Sequence, residues 1–394
     1  MLSPSLAQEI ARDTTAVIGH NVLITDSEGV VIGSGDTSRI DSFHEASVAV
    51  IRDQEPTVHN AAQAAALRGV RPGVTLPLIL DGQGVGTVGI TGSPGEVRRF
   101  GLVVKRQIEI LLRESVTLRS RVLRERALED LLADVASYDA DLVEPDLVLF
   151  RGAELGCDLT LRRAVVVLEL QGPTAGGPLT QEIPVLRPEI LRIIREVFGD
   201  PQDMATSMVA SGRFAVLHHV PQGLAAYEAE TALDARCRRL VEVLRLHLGL
   251  TAHAALTGPA DSLGALHDAY HDACDALRLG RRVAPEESVH AISDLRAHQM
   301  LASASPRVRS HLVRAVAGEL RDQPQWPILR TTIIALCDNG FNQARTAEAL
   351  HIHRNTLVYR LGKIEQLSGR TLRSPRFSVP LYLAALADQL DASG

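Results

Sequence analysis

Residues 339–364, near the C-terminus, constrain the fold more tightly than any other stretch, because their spacing suits two short helices joined by a tight turn. Asn342 is a good N-cap, Ala347 and Leu350 give the first helix an inward face, and small Ala344 lets a second helix approach. Ile352 plugs the turn. Over 354–367 the second helix sets Leu357, Leu361 and Ile364 at i, i+4 and i+7, which commits one side to packing. His353, Arg354, Thr356, Tyr359, Arg360 and Lys363 are expected to project from the remaining surface, with Arg345 on the helix before them. Cations, hydroxyls and imidazole along one edge suit phosphates and base edges. Between Asn339 and Arg376, seven basic residues (Arg345, Arg354, Arg360, Lys363, Arg370, Arg373 and Arg376) face only Glu348 and Glu365, in a chain of net charge −6. A basic island in an acidic protein is the electrostatic footprint of nucleic-acid binding. A merely solvated charged helix would need no capped turn before it.

The run Thr-Ala-Glu-Ala-Leu-His-Ile-His-Arg-Asn-Thr-Leu-Val-Tyr-Arg-Leu (346–361), with Ile364-Glu365 and Leu367-Ser368-Gly369 after it, resembles the C-terminal DNA-binding domain of the purine-catabolism and sugar-diacid regulators. The resemblance implies double-stranded DNA as a partner and a helix-turn-helix domain over residues 325–394.

A chain of 394 residues holds two or three domains, and 45% apolar residues suffice for each to bury a core. No apolar run approaches the ~20 residues of a membrane span, and the first residues lack the charged and apolar regions of a secretion signal. A cytoplasmic protein without membrane contact is expected. Cys157, Cys237, Cys274 and Cys337 are widely spaced with no Cys-x-x-Cys pair, so they read as small core residues rather than a disulfide or zinc framework.

Ser3 and Pro4 form a cap and first-turn pair, and Leu6, Ile10, Val17 and Ile18 recur at helical intervals until Gly19. Segments 21–26 and 30–34 flank the turn Ser27-Glu28-Gly29, and a second hairpin pairs 74–80 with 85–91. Between the hairpins, Ser42 and Glu45 fit a capping box opening a helix through Val50. These elements predict a small PAS-like α/β sensor over residues 1–95. Ile18-Gly19-His20-Asn21, Ser34-Gly35-Asp36 with Arg39-Ile40, Phe43-His44-Glu45, Gly69-Val70-Arg71-Pro72-Gly73-Val74 and Gly86-Thr87-Val88-Gly89-Ile90-Thr91-Gly92 are similar to the sugar-diacid recognition domain. What this implies is a small hydroxy-acid or sugar-diacid effector such as glucarate, galactarate or glycerate. Holding it requires fixed cations or N–H groups for the carboxylate and polar groups for hydroxyls. Arg39, His44 and Arg71 are the candidates. Arg71 precedes the rigid Pro72-Gly73 turn, and Thr91 and Gly92 offer a hydroxyl and unobstructed backbone. His44 is expected in the first turn of a capped helix, where the dipole favours an anion.

From Gly95 to Ser137 only Gly101 interrupts a broad stripe of Val104, Ile108, Leu111, Leu112, Leu118, Val122, Leu128, Leu131 and Leu132. A long linking helix over 96–137 is expected, pairing with its copy in a homodimer or higher even oligomer. Residues 150–290 alternate strand and helix in an order resembling a degenerate nucleotide-cyclase-type domain. The turn Ala210-Ser211-Gly212-Arg213-Phe214 lacks the carboxylate pair that would hold magnesium for phosphoryl transfer, so this domain is expected to be structural. Residues 291–324 form a helical connector, continuous over 295–320. The fold class is therefore α/β plus all-α: PAS-like sensor, long linking helix, degenerate cyclase-like α/β middle domain and helix-turn-helix domain.

Other motifs carry less. His267 and His271 have the i, i+4 spacing of helical zinc ligands but no zinc-hydrolase glutamate or third ligand, and His218 and His219 point to opposite faces of a strand. Gly82-Gln83-Gly84-Val85-Gly86 precedes a strand where a dinucleotide loop needs a helix. No catalytic residue, metal or cofactor is expected. With the resemblance, the chain reads as an effector-responsive transcription regulator, an activator with RNA polymerase as a further partner being one form. The competing readings are a cyclase or phosphodiesterase-type enzyme with an accessory DNA-binding domain, against which the missing acids speak, and a scaffold with no DNA role.

Overall fold

The computed structural model describes residues 3–171, 183–208 and 212–392, and the chain divides into two compact units, Met1–Arg124 and Glu125–Gly394. The first unit begins with α1 (Pro4–Ile18), whose Ser3 cap accepts from the Leu6 amide at 3.3 Å and whose end falls at Gly19 with φ 71°. β1 (Val22–Thr25) and β2 (Val31–Ser34) follow, then a 3₁₀ turn (Thr37–Arg39), α2 (Glu45–Asp53), β3 (Thr57–His59), α3 (Ala61–Ala65), β4 (Gly73–Leu80) and β5 (Gln83–Thr91). The strands form one antiparallel sheet in the order β2-β1-β5-β4-β3.

Because side chains alternate across a strand, the register divides this sheet into two unlike faces. Val22, Ile24, Val74, Leu76, Leu78, Val88 and Ile90 share a core with Ala7 and Ala11 of α1. The backbone of α1 comes so close that a Cβ on Gly33 of β2 would lie 2.4 Å from the Ala7 carbonyl oxygen. Thr25, Thr57, His59, Thr75 and Thr87 stand on the opposite face.

Two details differ from the sequence reading. Val17 is 85% exposed, since α1 packs through Ala7 and Ala11. The capping box is absent: His44 is the N-cap of α2 without a side-chain cap bond, while the Glu45 carboxylate accepts from the Arg68 amide at 2.7 Å. A returning loop competes for the carboxylate, and the Glu45 amide bonds the Arg68 carbonyl at 3.1 Å.

The long helix α4 spans Pro94–Ala136. Val104, Ile108 and Leu112 are buried toward its start and Leu128, Leu131 and Leu132 toward its end, whereas Leu118 between them is 60% exposed. The second unit continues with α5 (Pro145–Glu154), β6 (Arg163–Gln171), α6 (Ile183–Phe198), β7 (Met204–Met208), β8 (Arg213–His219), α7 (Ala226–Leu248), β9 (Thr251–Leu256), α8 (Leu263–Val283) and β10 (Val289–Ala291). Its sheet has the order β10-β9-β6-β8-β7, with β10 parallel to β9 and the other neighbours antiparallel. This is a cyclase-like α/β layout. Ala210 and Ser211 of the acid-free turn lie outside the described residues. Arg163 is wholly buried and donates to the carbonyls of Asp158 (2.9 Å), Gln202 (2.8 Å) and Leu217 (2.9 Å), so backbone dipoles solvate its charge.

The remaining elements are α9 (Ile292–Ser303), α10 (Pro306–Ala317), α11 (Trp326–Asp338), α12 (Gln343–Ala349), α13 (Arg354–Ser368) and α14 (Pro375–Ala392). The helical stretch expected over 295–320 is built from two helices and a closing 3₁₀ turn. Ser305 caps the second, and Pro306, which disfavours a helical residue before it, occupies its first turn. α14 is fastened by Asp388, which accepts from Trp326 Nε1 (2.8 Å), Arg330 Nη1 (2.8 Å) and Arg321 Nε (3.2 Å).

Candidate functional site

In the C-terminal region Asn342 Oδ1 accepts from the amides of Ala344 (3.0 Å) and Arg345 (3.2 Å), which starts α12. Thr346 and Ala347 of α12 meet a core that takes Leu357, Leu361 and Ile364 from α13, the helix-turn-helix packing. His353 caps α13, its Nδ1 accepting from the Asn355 amide at 3.2 Å. Arg345, His353, Arg354, Thr356 and Tyr359 are exposed, Tyr359 by 65%.

Arg360 and Lys363 differ from the expectation that all these side chains project outward. Arg360 Nη1 donates to Thr332 Oγ1 at 3.4 Å and Lys363 Nζ to Gln325 Oε1 at 2.6 Å, so both lean back toward α11. At 100° per residue they lie on the flank between the packed stripe and solvent. The side opposite the stripe instead holds Asn355, Tyr359 and Gly362 at i, i+4 and i+7, all exposed. Asn355 and Gly362 were missed by sequence reasoning, although that spacing is itself the signal. A Cβ on Gly362 would meet nothing within 4 Å, so the chain's own packing does not require glycine there.

The second constellation lies in the first unit. Arg39 ends the 3₁₀ turn, is 8% exposed, and donates from Nη2 to the Gly69 carbonyl. Among the described residues its guanidinium has no ion-pair partner, and burial, then the Arg71 charge, draws its pKa below the ordinary arginine value while Asp36 opposes them. Arg71 is half exposed and pairs with Asp36 at 3.0 Å. His44 is 4% exposed, with Nδ1 2.8 Å from Ser47 Oγ. Ser47 Oγ continues to Thr87 Oγ1 (2.6 Å) and Thr87 Oγ1 to Thr25 Oγ1 (2.9 Å), a buried polar chain along the second face of the sheet. Burial, followed by the charges of Arg39 and His59, pushes the His44 pKa down to about 4, so the ring is neutral near pH 7. The sequence reading offered His44 as an effector-binding candidate at a helix start. The structure makes it a neutral donor or acceptor.

Gly73, Thr91 and Gly92 sit at paired strand ends, with Gly73 opposite Thr91. A Cβ on Gly73 would lie 2.0 Å from the Ile90 carbonyl oxygen, so close backbone approach accounts for that glycine. The Thr91 amide donates to the Asn21 carbonyl (3.0 Å) and the Gly92 amide to the Pro72 carbonyl (2.9 Å). Thr25, Ser47, Thr57, His59 and Thr87 were not singled out from sequence, since strand register brings them together.

The histidine pairs are engaged elsewhere. His267 Nδ1 donates to the Val135 carbonyl (3.1 Å) and His271 Nε2 to that of Ala136 (2.8 Å), at the C-terminus of α4. His218 Nδ1 meets Asp203 (2.9 Å) and His219 Nδ1 meets Asp200 (3.1 Å).

Comparison with known proteins assigns three segments. Residues 2–135 match the family described as sugar diacid recognition, 140–279 the GGDEF-like domain, and 329–387 the PucR C-terminal helix-turn-helix domain. The chain is 26% identical over 391 residues to the carbohydrate diacid regulator of Escherichia coli (strain K12), covering 98% of each. It is 39% identical over 85 residues to the transcriptional activator PmfR of Paenarthrobacter nicotinovorans, 21% of this chain and 18% of that one. Among solved structures, a regulator of polyketide synthase expression from Bifidobacterium adolescentis aligns with 69% of this chain and 94% of its own at 17% identity and a TM-score of 0.30.

Proposed function

We propose that the chain, whose segments match sugar diacid recognition and PucR-type helix-turn-helix domains and which is similar along its length to a carbohydrate diacid regulator, is a transcriptional regulator whose N-terminal region senses a small hydroxy-acid or sugar diacid. It binds DNA through its C-terminal helix-turn-helix. Arg345, His353, Arg354, Thr356 and Tyr359 face the duplex, and Arg360 and Lys363 reach phosphates from the flank. The observation that carries the sensing reading is Arg39, a buried guanidinium with one neutral acceptor and, among the described residues, no carboxylate at ion-pair distance, Asp36 being paired with Arg71 instead. Burying a charge without a counter-ion is costly, and an anionic ligand is what repays it. Arg71, at the same turn, gives a second cation for a dianion, and the neutral His44 supplies a hydrogen bond.

The strand order β2-β1-β5-β4-β3 supports a PAS-like sensor over 1–95. The linking helix takes 96–137, the degenerate middle domain 150–290, the connector 291–324 and the DNA-binding domain 325–394. Val116 and Leu123 are exposed on α4 and lie seven residues apart, the interval of a coiled-coil seam, which favours pairing with a second copy. Two recognition helices would then have to fit half-sites about 34 Å apart. We place the protein in the cytoplasm, acting without catalysis, and as an activator it would meet RNA polymerase. No helix of the described residues is long and apolar enough to cross a membrane.

The test uses the full-length protein. Glycerate, glucarate or galactarate should raise its unfolding midpoint selectively. Arg354→Ala should lower the dependence of log K on log salt for operator DNA by about one. An unmoved midpoint across the panel removes the sensing reading, an unmoved slope removes Arg354 from the interface, and metal-dependent turnover of GTP would restore the enzyme reading.

A further inference from the structure

The sheet face that His44 reaches through Ser47, Thr87 and Thr25 has unsatisfied groups on its edge strand. Thr57 Oγ1 and His59 Nδ1 are buried atoms with no hydrogen-bond partner among the described residues. They sit two residues apart on the edge strand β3, so they share a face, and the register sets them opposite Thr75 and Gly73 of β4. Thr75 is buried, and Gly73 contributes no side chain that could occupy the space before His59. A hydroxyl and an imidazole nitrogen left unpaired are costly, and two on one face call for a partner that can both donate and accept. A carboxylate would be met by the Thr57 hydroxyl but only by the His59 tautomer protonated on Nδ1, whereas an alcohol matches Thr57 and either tautomer of His59. Arg39 and His59 both lie close enough to His44 to act on it electrostatically.

Building on the sensing reading above, we infer that Thr57 and His59 form the hydroxyl-reading wall of the effector site, selecting polyhydroxy acids over the corresponding plain carboxylic acids while Arg39 holds the carboxylate. A site built to hydrogen-bond a hydroxyl discriminates strongly against the analogue without it, because its own buried groups are then left unpaired.

The experiment measures dissociation constants by calorimetry on the full-length protein for two matched pairs, glycerate against propionate and galactarate against adipate. Wild type should favour the hydroxylated member of at least one pair by tenfold or more. Thr57→Val, which keeps the shape and removes the oxygen, and His59→Phe should each shrink that ratio severalfold, chiefly by weakening the hydroxylated ligand, with the plain acid bound as before. Should His59→Phe not fold, the Thr57→Val ratio decides alone. A wild-type preference that Thr57→Val retains overturns the inference while the sensing reading stands. No binding of any of the four by wild type overturns the sensing reading itself.

Discussion

Arg39 is the residue at which stability and recognition pull apart. Replacing it by methionine removes an unpaired buried charge and keeps an unbranched chain of similar reach, so the unfolding midpoint without ligand should stay or rise. The ligand-induced rise should vanish. A midpoint several degrees lower in Arg39→Met would mean that the guanidinium mainly holds the Gly69 loop. His44 sets a pH response in the same unit. Its ring accepts a proton only near pH 4 when folded and near 6.5 when unfolded, so between these values the unfolded chain holds more protons. Stability should therefore fall as pH drops from about 6.5 to about 4, by up to roughly 3 kcal/mol from this group. Urea unfolding of wild type and His44→Asn at pH 7 and 4.5 checks it: the variant should lose less on acidification, and equal losses would remove His44 as the cause. Arg39 and His44 were legible as candidates because charge and family pattern mark them in the sequence. Thr57 and His59 were not, since only the β3–β4 register places them on the polar face. Glu45 was misread for the same reason, as the amide that claims its carboxylate comes from Arg68, 23 positions on.

Among the elements, α4 was the easiest to foresee, because few breakers interrupt 43 residues. Its role is less local, since the stripe divides into buried ends and an exposed middle that no periodicity distinguishes. If the exposed part pairs with a second copy, Val116→Glu with Leu123→Glu should halve the mass seen by light scattering while helical content is retained. An unchanged mass would locate any dimer elsewhere. The break between α9 and α10 was visible as Ser305-Pro306, yet the apolar pattern runs straight across it, and the proline's meaning as a first-turn residue was lost. At α13 the packed stripe and the face opposite it follow from spacing, whereas the lean of Arg360 and Lys363 toward α11 shows only in the fold. Gly362 belongs to that opposite face. Gly362→Ala should stabilise the recognition helix by up to about 1 kcal/mol yet weaken operator binding, if the bare backbone there lets a phosphate come close. Tighter binding by the variant would show that nothing presses on that position.

For the whole molecule, coarse organisation could be read directly, because each region has its own periodicity and the cationic run stands out against a net charge of −6. Effector occupancy should change operator affinity, and equal affinity with and without a stabilising ligand would leave the sensor uncoupled from the DNA-binding end. Arg163 has a consequence for how such measurements are read. Its guanidinium is buried inside the second unit and held by three carbonyl groups, so dissolved ions have little purchase on it. Raising potassium chloride should thus loosen the grip on the operator long before it disturbs that interior clamp, and one titration can separate detachment from denaturation.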